Sequence, residues 1–407
     1  MQGMLLFLLR FLREKGGIHI PTVFFYCSTR MALAAITALL LTILFGKPFI
    51  KKLYELKVGD RVRSEDCPLL GELHRNKNET PTMGGILILF SLLVSLLLWM
   101  DLQSPFTLLL FGTTVVIGSL GGVDDYLKLR YKSKRGLSGK KKLLIQGLFS
   151  FAIALYLLYS PASEWLHKGQ WYSPPHAKEE VIGGQSLSAL ALLTTKEYAT
   201  RLYLPMRKEP LLFFSKWGGI GMALLIAFVI TGSSNAVNLT DGLDGLATGT
   251  VMLAVSAFSL IAFLSNNLDF ARYLHILYIE GSGEIAIYLA AVVGACLGFL
   301  WYNGHPAQVF MGDTGSLTLG AILGLSAVLL KRELLLTIIG GVFVIEALSV
   351  LLQVGSYRLR NQKRIFLCAP LHHHFEYKGW AETKVVVRFW IVGLLLALVG
   401  VATLKFQ

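Results

Sequence analysis

An all-α, polytopic integral membrane protein of about ten transmembrane helices is the fold class predicted by the sequence, and two observations carry that prediction. Of the 407 residues, 54% are hydrophobic and only 15% are charged, and the mean hydropathy is +0.60. Apolar runs close to the roughly 20 residues that cross a hydrocarbon core recur along the chain. They are Thr22 to Phe45, Met83 to Met100, Phe106 to Val123, Leu143 to Ser160, Leu211 to Ser233, Leu246 to Leu264, Ile285 to Tyr302, Ser316 to Leu330, Leu334 to Val354 and Val385 to Leu404. An even number of crossings returns both termini to one side of a single membrane domain, residues 1–407.

Charge orients the spans. Eight Lys and Arg fall in Gly46 to Thr82, eight in Asp124 to Lys142 and seven in Gly355 to Arg388. Short loops rich in Lys and Arg stay cytoplasmic, so both termini are expected to be periplasmic. The net charge of +13 is explained by anionic lipid or a phosphorylated substrate as well as by nucleic acid, and no nucleic-acid partner is expected. Met1 to Leu12 is apolar but is interrupted by Arg10 and followed by Arg13 and Lys15. That is the wrong charge order for a cleavable signal peptide, and the segment reads as an interfacial helix. Cys27, Cys67, Cys296 and Cys368 form no CxxC pair, so neither a disulfide framework nor a zinc site follows from them.

Between the spans lie polar clusters that membrane crossing does not require. Lys77 to Gly85, Lys-Asn-Glu-Thr-Pro-Thr-Met-Gly-Gly, precedes the second span. Pro81 is tolerated at a helix start, and Gly84 and Gly85 allow close packing or ligand approach. The third span ends in Asp124-Asp125-Tyr-Leu-Lys128. Adjacent carboxylates at a membrane edge suggest a divalent cation, phosphate chemistry or a proton acceptor, with a hydrated helix cap as the plain alternative. A basic run from Arg130 to Lys142 anchors the cytoplasmic side. Residues 161–210 form one long extracytoplasmic insertion in which no chemistry is legible.

The stretch from Asn235 to Leu246, Asn-Ala-Val-Asn-Leu-Thr-Asp-Gly-Leu-Asp-Gly-Leu, is polar and glycine-punctuated between two apolar runs. A helical start places Asn235 and Asn238 on one face. After the seventh span come Trp301 to Pro306 and then Phe310-Met-Gly-Asp-Thr-Gly-Ser316. Asp313 there opens a helix, where it could ligate Mg²⁺ or merely cap the span. Glu346, inside the ninth span, is a functional candidate by position or a hydrogen-bonded packing contact. His372, His373 and His374 lack the i, i+4 spacing of metal ligands and suit donation to phosphate or sugar oxygens. Five polar turns thus fall at the cytoplasmic ends of spans, the arrangement a reaction between a soluble phosphorylated donor and a lipid would use.

Thr80-Pro-Thr-Met-Gly-Gly85, Asp124-Asp125, Asn235 to Leu246, Phe310 to Ser316 and Pro370-Leu-His-His-His-Phe-Glu376 together resemble the motif set of the bacterial phospho-N-acetylmuramoyl-pentapeptide transferases. That family sits within the polyprenyl-phosphate N-acetylhexosamine-1-phosphate transferase superfamily. The motifs run in order over nearly the whole chain, and residues 161–210 are longer than the family usually carries there.

The resemblance implies an enzyme that moves phospho-MurNAc-pentapeptide from UDP-MurNAc-pentapeptide to undecaprenyl phosphate, giving lipid I and UMP with Mg²⁺. It implies Asp124, Asp125, Asp313, His372, His373 and His374 as catalytic, with Asp313 the metal ligand. Substrate-binding residues would be Lys77, Thr82, Lys128, Lys140, Asn238, Asp241, Gly242, Leu243, Asp244, Asn303 and Phe310. Bacterial inner-membrane location and a cytoplasmic active site follow from the same likeness, and a homodimer is compatible with it. Two rivals are a sister transferase that uses UDP-GlcNAc and, from another class, a secondary transporter. Transporters gather polar groups near the bilayer midplane, often at inverted repeats, whereas the clusters here gather at one face.

Overall fold

A helix satisfies its own backbone hydrogen bonds, which is why apolar runs of this length cross a membrane as helices. The computed structural model describes residues 11–13, 15, 21–56, 77, 80–131, 136–158, 180–182, 185–187, 200–207, 210–213, 218–274 and 276–405. The helices are α1 Cys27–Glu55, α2 Gly85–Trp99, α3 Pro105–Arg130, α4 Gly139–Leu158, α5 Gly218–Thr240, α6 Leu246–Ser265 and α7 Leu268–Leu274. They continue with α8 Gly283–Asn303, α9 Gly312–Leu329, α10 Glu333–Ile339, α11 Gly341–Leu359, α12 Leu371–Tyr377 and α13 Glu382–Ala402.

Among the described residues, nine helices are long and apolar enough to cross a membrane, and α2 is a shorter apolar helix of 15 residues. These ten correspond to the ten runs expected from the sequence, and the protein is an all-α, multi-pass membrane protein. Most of the expected insertion at 161–210 lies outside the described residues, as does the expected interfacial segment up to Arg10. What is described of the insertion includes two antiparallel pairings, β1 Glu180–Ile182 with β2 Gln185–Leu187 and β3 Arg201–Tyr203 with β4 Pro210–Phe213.

One boundary moved. The ninth run was expected to be a single helix over Leu334 to Val354, but it breaks at Gly340 into α10 and α11. A Cβ on Gly341 would lie 2.8 Å from Leu396 of α13, and one on Gly400 of α13 would collide with Ile339. The two helices therefore touch backbone to side chain at the break, a contact that hydropathy does not report.

Helix α9 is the hub, with every residue from Thr314 to Leu329 buried. Small residues let its neighbours approach closely, as expected where lipid gives no hydrophobic drive for helix association. A Cβ on Gly324 would lie 2.9 Å from the Val229 carbonyl of α5, and one on Gly121 of α3 would meet the Asp313 carbonyl. Gly294 and Gly298 bring α8 against α1 in the same way. A polar layer fixes α4 against α5: Asn235 Nδ2 donates to Gln146 Oε1 at 2.8 Å, and Gln146 Nε2 donates to Ser234 Oγ at 2.9 Å. At the other end of the bundle, Arg30 pairs with Glu284 at 2.8 Å and donates to the Trp99 carbonyl at 2.6 Å. These contacts hold α3, α5 and α9 with their polar ends together.

Candidate active site

Close packing of α3 on α9 delivers the Asp pair to the start of α9. Asp125 accepts hydrogen bonds from Thr314 N at 2.9 Å, Thr314 Oγ1 at 2.7 Å and Asp313 N at 3.2 Å. A carboxylate from one helix thus satisfies the free N–H groups of another, where the helix dipole favours negative charge. Gly312, with φ +74, makes the tight entry, since a Cβ there would lie 2.8 Å from Asp125 Oδ2. Asp124, one residue earlier, faces the α3–α4 connection and accepts from Leu137 N at 2.6 Å.

Two lysines bind the carboxylates together. Lys128 Nζ lies 2.8 Å from Asp124, 3.2 Å from Asp313 and 3.7 Å from Asp125. Lys142 Nζ lies 3.0 Å from Asp124 and 2.7 Å from Asp313. Asn238 Nδ2 donates to Asp313 Oδ1 at 3.0 Å and to Ser316 Oγ at 2.8 Å.

A second group forms around Asp244, a residue whose side chain is buried. Its carboxylate takes Lys77 Nζ at 2.6 Å, His305 Nδ1 at 2.9 Å and Ala307 N at 3.1 Å. Glu382, in the first turn of α13, meets Lys77 at 2.5 Å and accepts from Asp244 N at 2.8 Å. Asn303 Oδ1 accepts from Gly245 N at 3.1 Å while its Nδ2 donates to the Val309 carbonyl at 2.9 Å. The Thr80 to Gly85 segment pairs its backbone with the loop before α9: Phe310 N donates to Pro81 O, and Gly84 N to Phe310 O, both at 2.8 Å. That pairing holds Phe310 in place.

These groups surround one cavity of about 450 Å³. Its wall includes Lys77, Thr82, Asp125, Lys128, Asn238, Asp241, Gly242, Leu243, Asn303, Phe310, Asp313, His372 and His373. Asp124 is buried just behind Lys128 and Lys142, and Asp244 behind Lys77. Lys140, by contrast, is exposed at the start of α4, and Lys142 is the lysine beside the carboxylates. His374 also turns away: its Nδ1 accepts from Leu367 N at 3.2 Å, and desolvation together with Lys378 holds its pKa below the usual histidine value.

Four residues that the sequence reading did not place here join the site: Lys142, His305, Glu382 and, through His372, Glu346. Lys142 had a legible signal. With Gln146 and Ser150 it forms a polar stripe at i, i+4, i+8 on an otherwise apolar helix. Glu382 had none, being an acid in the first turn of a helix, where acids are ordinary.

Asp124, Asp125 and Asp313 offer carboxylate oxygens within 4.8 Å of one another, a hard-oxygen donor set that suits Mg²⁺. Asp244, His305 and Glu382 are equally close, and Lys77 bridges both acids there as Lys128 and Lys142 bridge Asp124 and Asp313. Asp241 is half-buried in the turn after α5, and burial, with the negative charges of Asp313 and Asp125, pushes its pKa up from 3.8 to about 7. An acid whose pKa rises on folding costs the fold nothing below its ordinary pKa, destabilises it progressively as pH climbs from 3.8 to about 7, and keeps that full cost above. Asp241→Asn should therefore raise the thermal midpoint in metal-free detergent at pH 8 and leave it unchanged near pH 4. Partial exposure of the Asp241 side chain screens the effect, leaving on the order of 1 kcal/mol.

The glycosyl transferase family 4 model matches residues 107–331, and the phospho-N-acetylmuramoyl-pentapeptide-transferase signature 1 matches residues 77–89. The phospho-N-acetylmuramoyl-pentapeptide-transferase of Protochlamydia amoebophila is 62% identical over 99% of this chain and 100% of its own. The chain belongs to that family. The phospho-N-acetylmuramoyl-pentapeptide-transferase of Leptospira biflexa is 46% identical over 95% of both chains, and that of Francisella tularensis subsp. mediasiatica is 45% identical over 94% of both. In this member of the phospho-N-acetylmuramoyl-pentapeptide-transferase family, the signature segment is the one that pairs with the Phe310 loop. The family 4 match runs from α3 to the end of α9 and so contains all three clustered aspartates.

Proposed function

We propose that this protein transfers phospho-MurNAc-pentapeptide from UDP-MurNAc-pentapeptide to undecaprenyl phosphate, in a Mg²⁺-dependent reaction that gives lipid I and UMP. The observation that carries the reading is the cavity lined by Asp125, Asp313, Lys77, Lys128 and Phe310, with Asp124 and Lys142 in contact with that lining through Lys128 and Asp313. A phosphate oxygen of the lipid attacks the β-phosphorus of the donor. The new P–O bond forms as the bond to the UMP phosphate breaks, and UMP departs with that electron pair. Asp313, with Asp124 and Asp125, would hold Mg²⁺, which supplies charge neutralisation for two approaching anions.

The chain's own groups do the rest. Lys128 and Lys142 bridge the carboxylates beside the cavity, where their ammonium groups would neutralise phosphate oxygens. Phe310 offers a face for the uracil ring, and Lys77 faces the diphosphate with its ammonium held by Asp244 and Glu382. His372 and His373 lie on the wall beside Pro370, facing the sugar phosphate. The three basic loops support a cytoplasmic active site in a bacterial inner membrane, where the reaction would be the first membrane step of peptidoglycan synthesis.

Purified protein should release UMP from UDP-MurNAc-pentapeptide only when undecaprenyl phosphate and Mg²⁺ are present, and should not turn over UDP-GlcNAc. Turnover of UDP-GlcNAc alone would assign it to the sister reaction. A phosphorylated enzyme trapped without the lipid acceptor would replace direct attack with a two-step route. Glu382→Gln should raise the donor KM about tenfold with little change in kcat, the loss of one charge-assisted contact to Lys77.

A further inference from the structure

Glu346 is a carboxylate within the membrane-spanning part of α11, and its side chain is fully buried. A buried charge needs compensating partners. Its partners all come from the start of α12: Leu371 N donates to Oε2 at 2.8 Å, His372 N donates to Oε1 at 3.1 Å, and His372 Nδ1 lies 3.2 Å from Oε2. Glu346 therefore does two things, capping α12 through its backbone and facing the imidazole of its second residue.

That imidazole is itself fully buried, and neither ring nitrogen has an aligned hydrogen-bond partner. The 3.2 Å approach of Nδ1 to Glu346 is close but off-line, and the broad χ2 well of histidine allows the ring to rotate into alignment. On its far side Nε2 packs on Gly242, where any Cβ would collide with it. Gly242 and His372 both line the cavity. One ring nitrogen thus faces a carboxylate, and the other faces the turn that carries Asp241 and Asp244.

We infer that Glu346 is a positioning residue for His372, fixing the ring with Nδ1–H toward the carboxylate so that Nε2 is presented to the Gly242 turn and the bound donor. This rests on the reading of the cavity as the donor site. Carboxylate–histidine pairs set which nitrogen carries the proton and how the ring is aimed. Glutamine has nearly the same shape and keeps one acceptor for the α12 backbone. Its amide nitrogen, however, faces Leu371 N–H as well as Nδ1 if placed at Oε2, or His372 N–H if placed at Oε1, so either orientation gives up one contact of the Glu346–α12 set.

The test is a double-mutant cycle on the full-length protein in detergent, scoring kcat/KM for UMP release. Glu346→Gln should lower kcat/KM about 10- to 100-fold, the usual cost of losing such a partner. In a His372→Ala background the same substitution should change it less than twofold, because Glu346 then has no ring left to orient. An equal loss in both backgrounds would make Glu346 a cap for α12 and nothing more, and no loss in the wild-type background would end the proposal. A second measurement needs no Glu346 variant: in protein labelled with ¹⁵N-histidine, with the His372 signal assigned by its loss in His372→Ala, Nδ1 should carry a proton. An unprotonated Nδ1 overturns the pairing. Absence of UMP release by the unsubstituted protein would instead defeat the donor-site reading, and the nitrogen spectrum would still judge the Glu346–His372 contact.

Discussion

Asp313→Asn should cut UMP release at least about 1,000-fold and leave a folded, monodisperse protein. The substitution keeps the shape of the side chain, and its surroundings can absorb the lost charge. Lys128 and Lys142 retain Asp124 at 2.8 and 3.0 Å. Asn238, which donates to Asp313 Oδ1, retains Ser316 Oγ at 2.8 Å. The backbone of residue 313 stays tied to Asp125. What disappears is the most exposed of the three clustered carboxylates, the one that both lysines and Asn238 converge on and that reaches the cavity.

Activity with a Mg²⁺ titration, and Mn²⁺ binding followed by electron paramagnetic resonance, should fall together. A near-normal rate with Mg²⁺ would remove Asp313 from the metal role. Asp125→Asn provides the contrast, because three donors from α9 converge on that carboxylate. An amide there must turn an N–H toward one of them, so about 1–3 kcal/mol of stability should be lost along with activity.

The two aspartates look interchangeable in the sequence and are separated only by which helix each one meets. Spans, order and clustering were legible because each rests on local composition: hydropathy for the helices, glycine and amide punctuation for the turns. Asn235 and Asn238 share a helix face, as their spacing predicts, yet one meets Gln146 of α4 and the other Asp313 of α9. Helical phase gives the face but not the neighbour. The break at Gly340 was invisible for the same reason, since Leu396 and Ile339 meet there from segments far apart in the chain. Glu382 and His305 join the site only because Asp244 lies between them, and no spacing in the sequence connects residues 244, 305 and 382.

Lys142 and Lys140 give the sharpest test of that dependence on neighbours. Both belong to one basic run that anchors the cytoplasmic side, and they lie two residues apart, about 200° around a helix. One must therefore face the bundle if the other faces outward. Gln146, one turn after Lys142, is buried against α5, so the face that carries Lys142 is the inner one. Its ammonium closes a bridge between Asp124 and Asp313 that Lys128 shares. Removing it leaves three carboxylates facing a single lysine and, on the proposed function, takes away a cation beside the donor's phosphates. Lys142→Met should lower kcat/KM about 100-fold, with the loss mainly in kcat if the lysine acts on charge that develops in the transition state. Lys140→Met removes an exposed charge and should stay within about twofold of the unsubstituted rate. Initial rates of UMP release at saturating Mg²⁺ decide between them, and a larger loss for Lys140 would mean that the start of α4 turns by half a revolution when the donor binds.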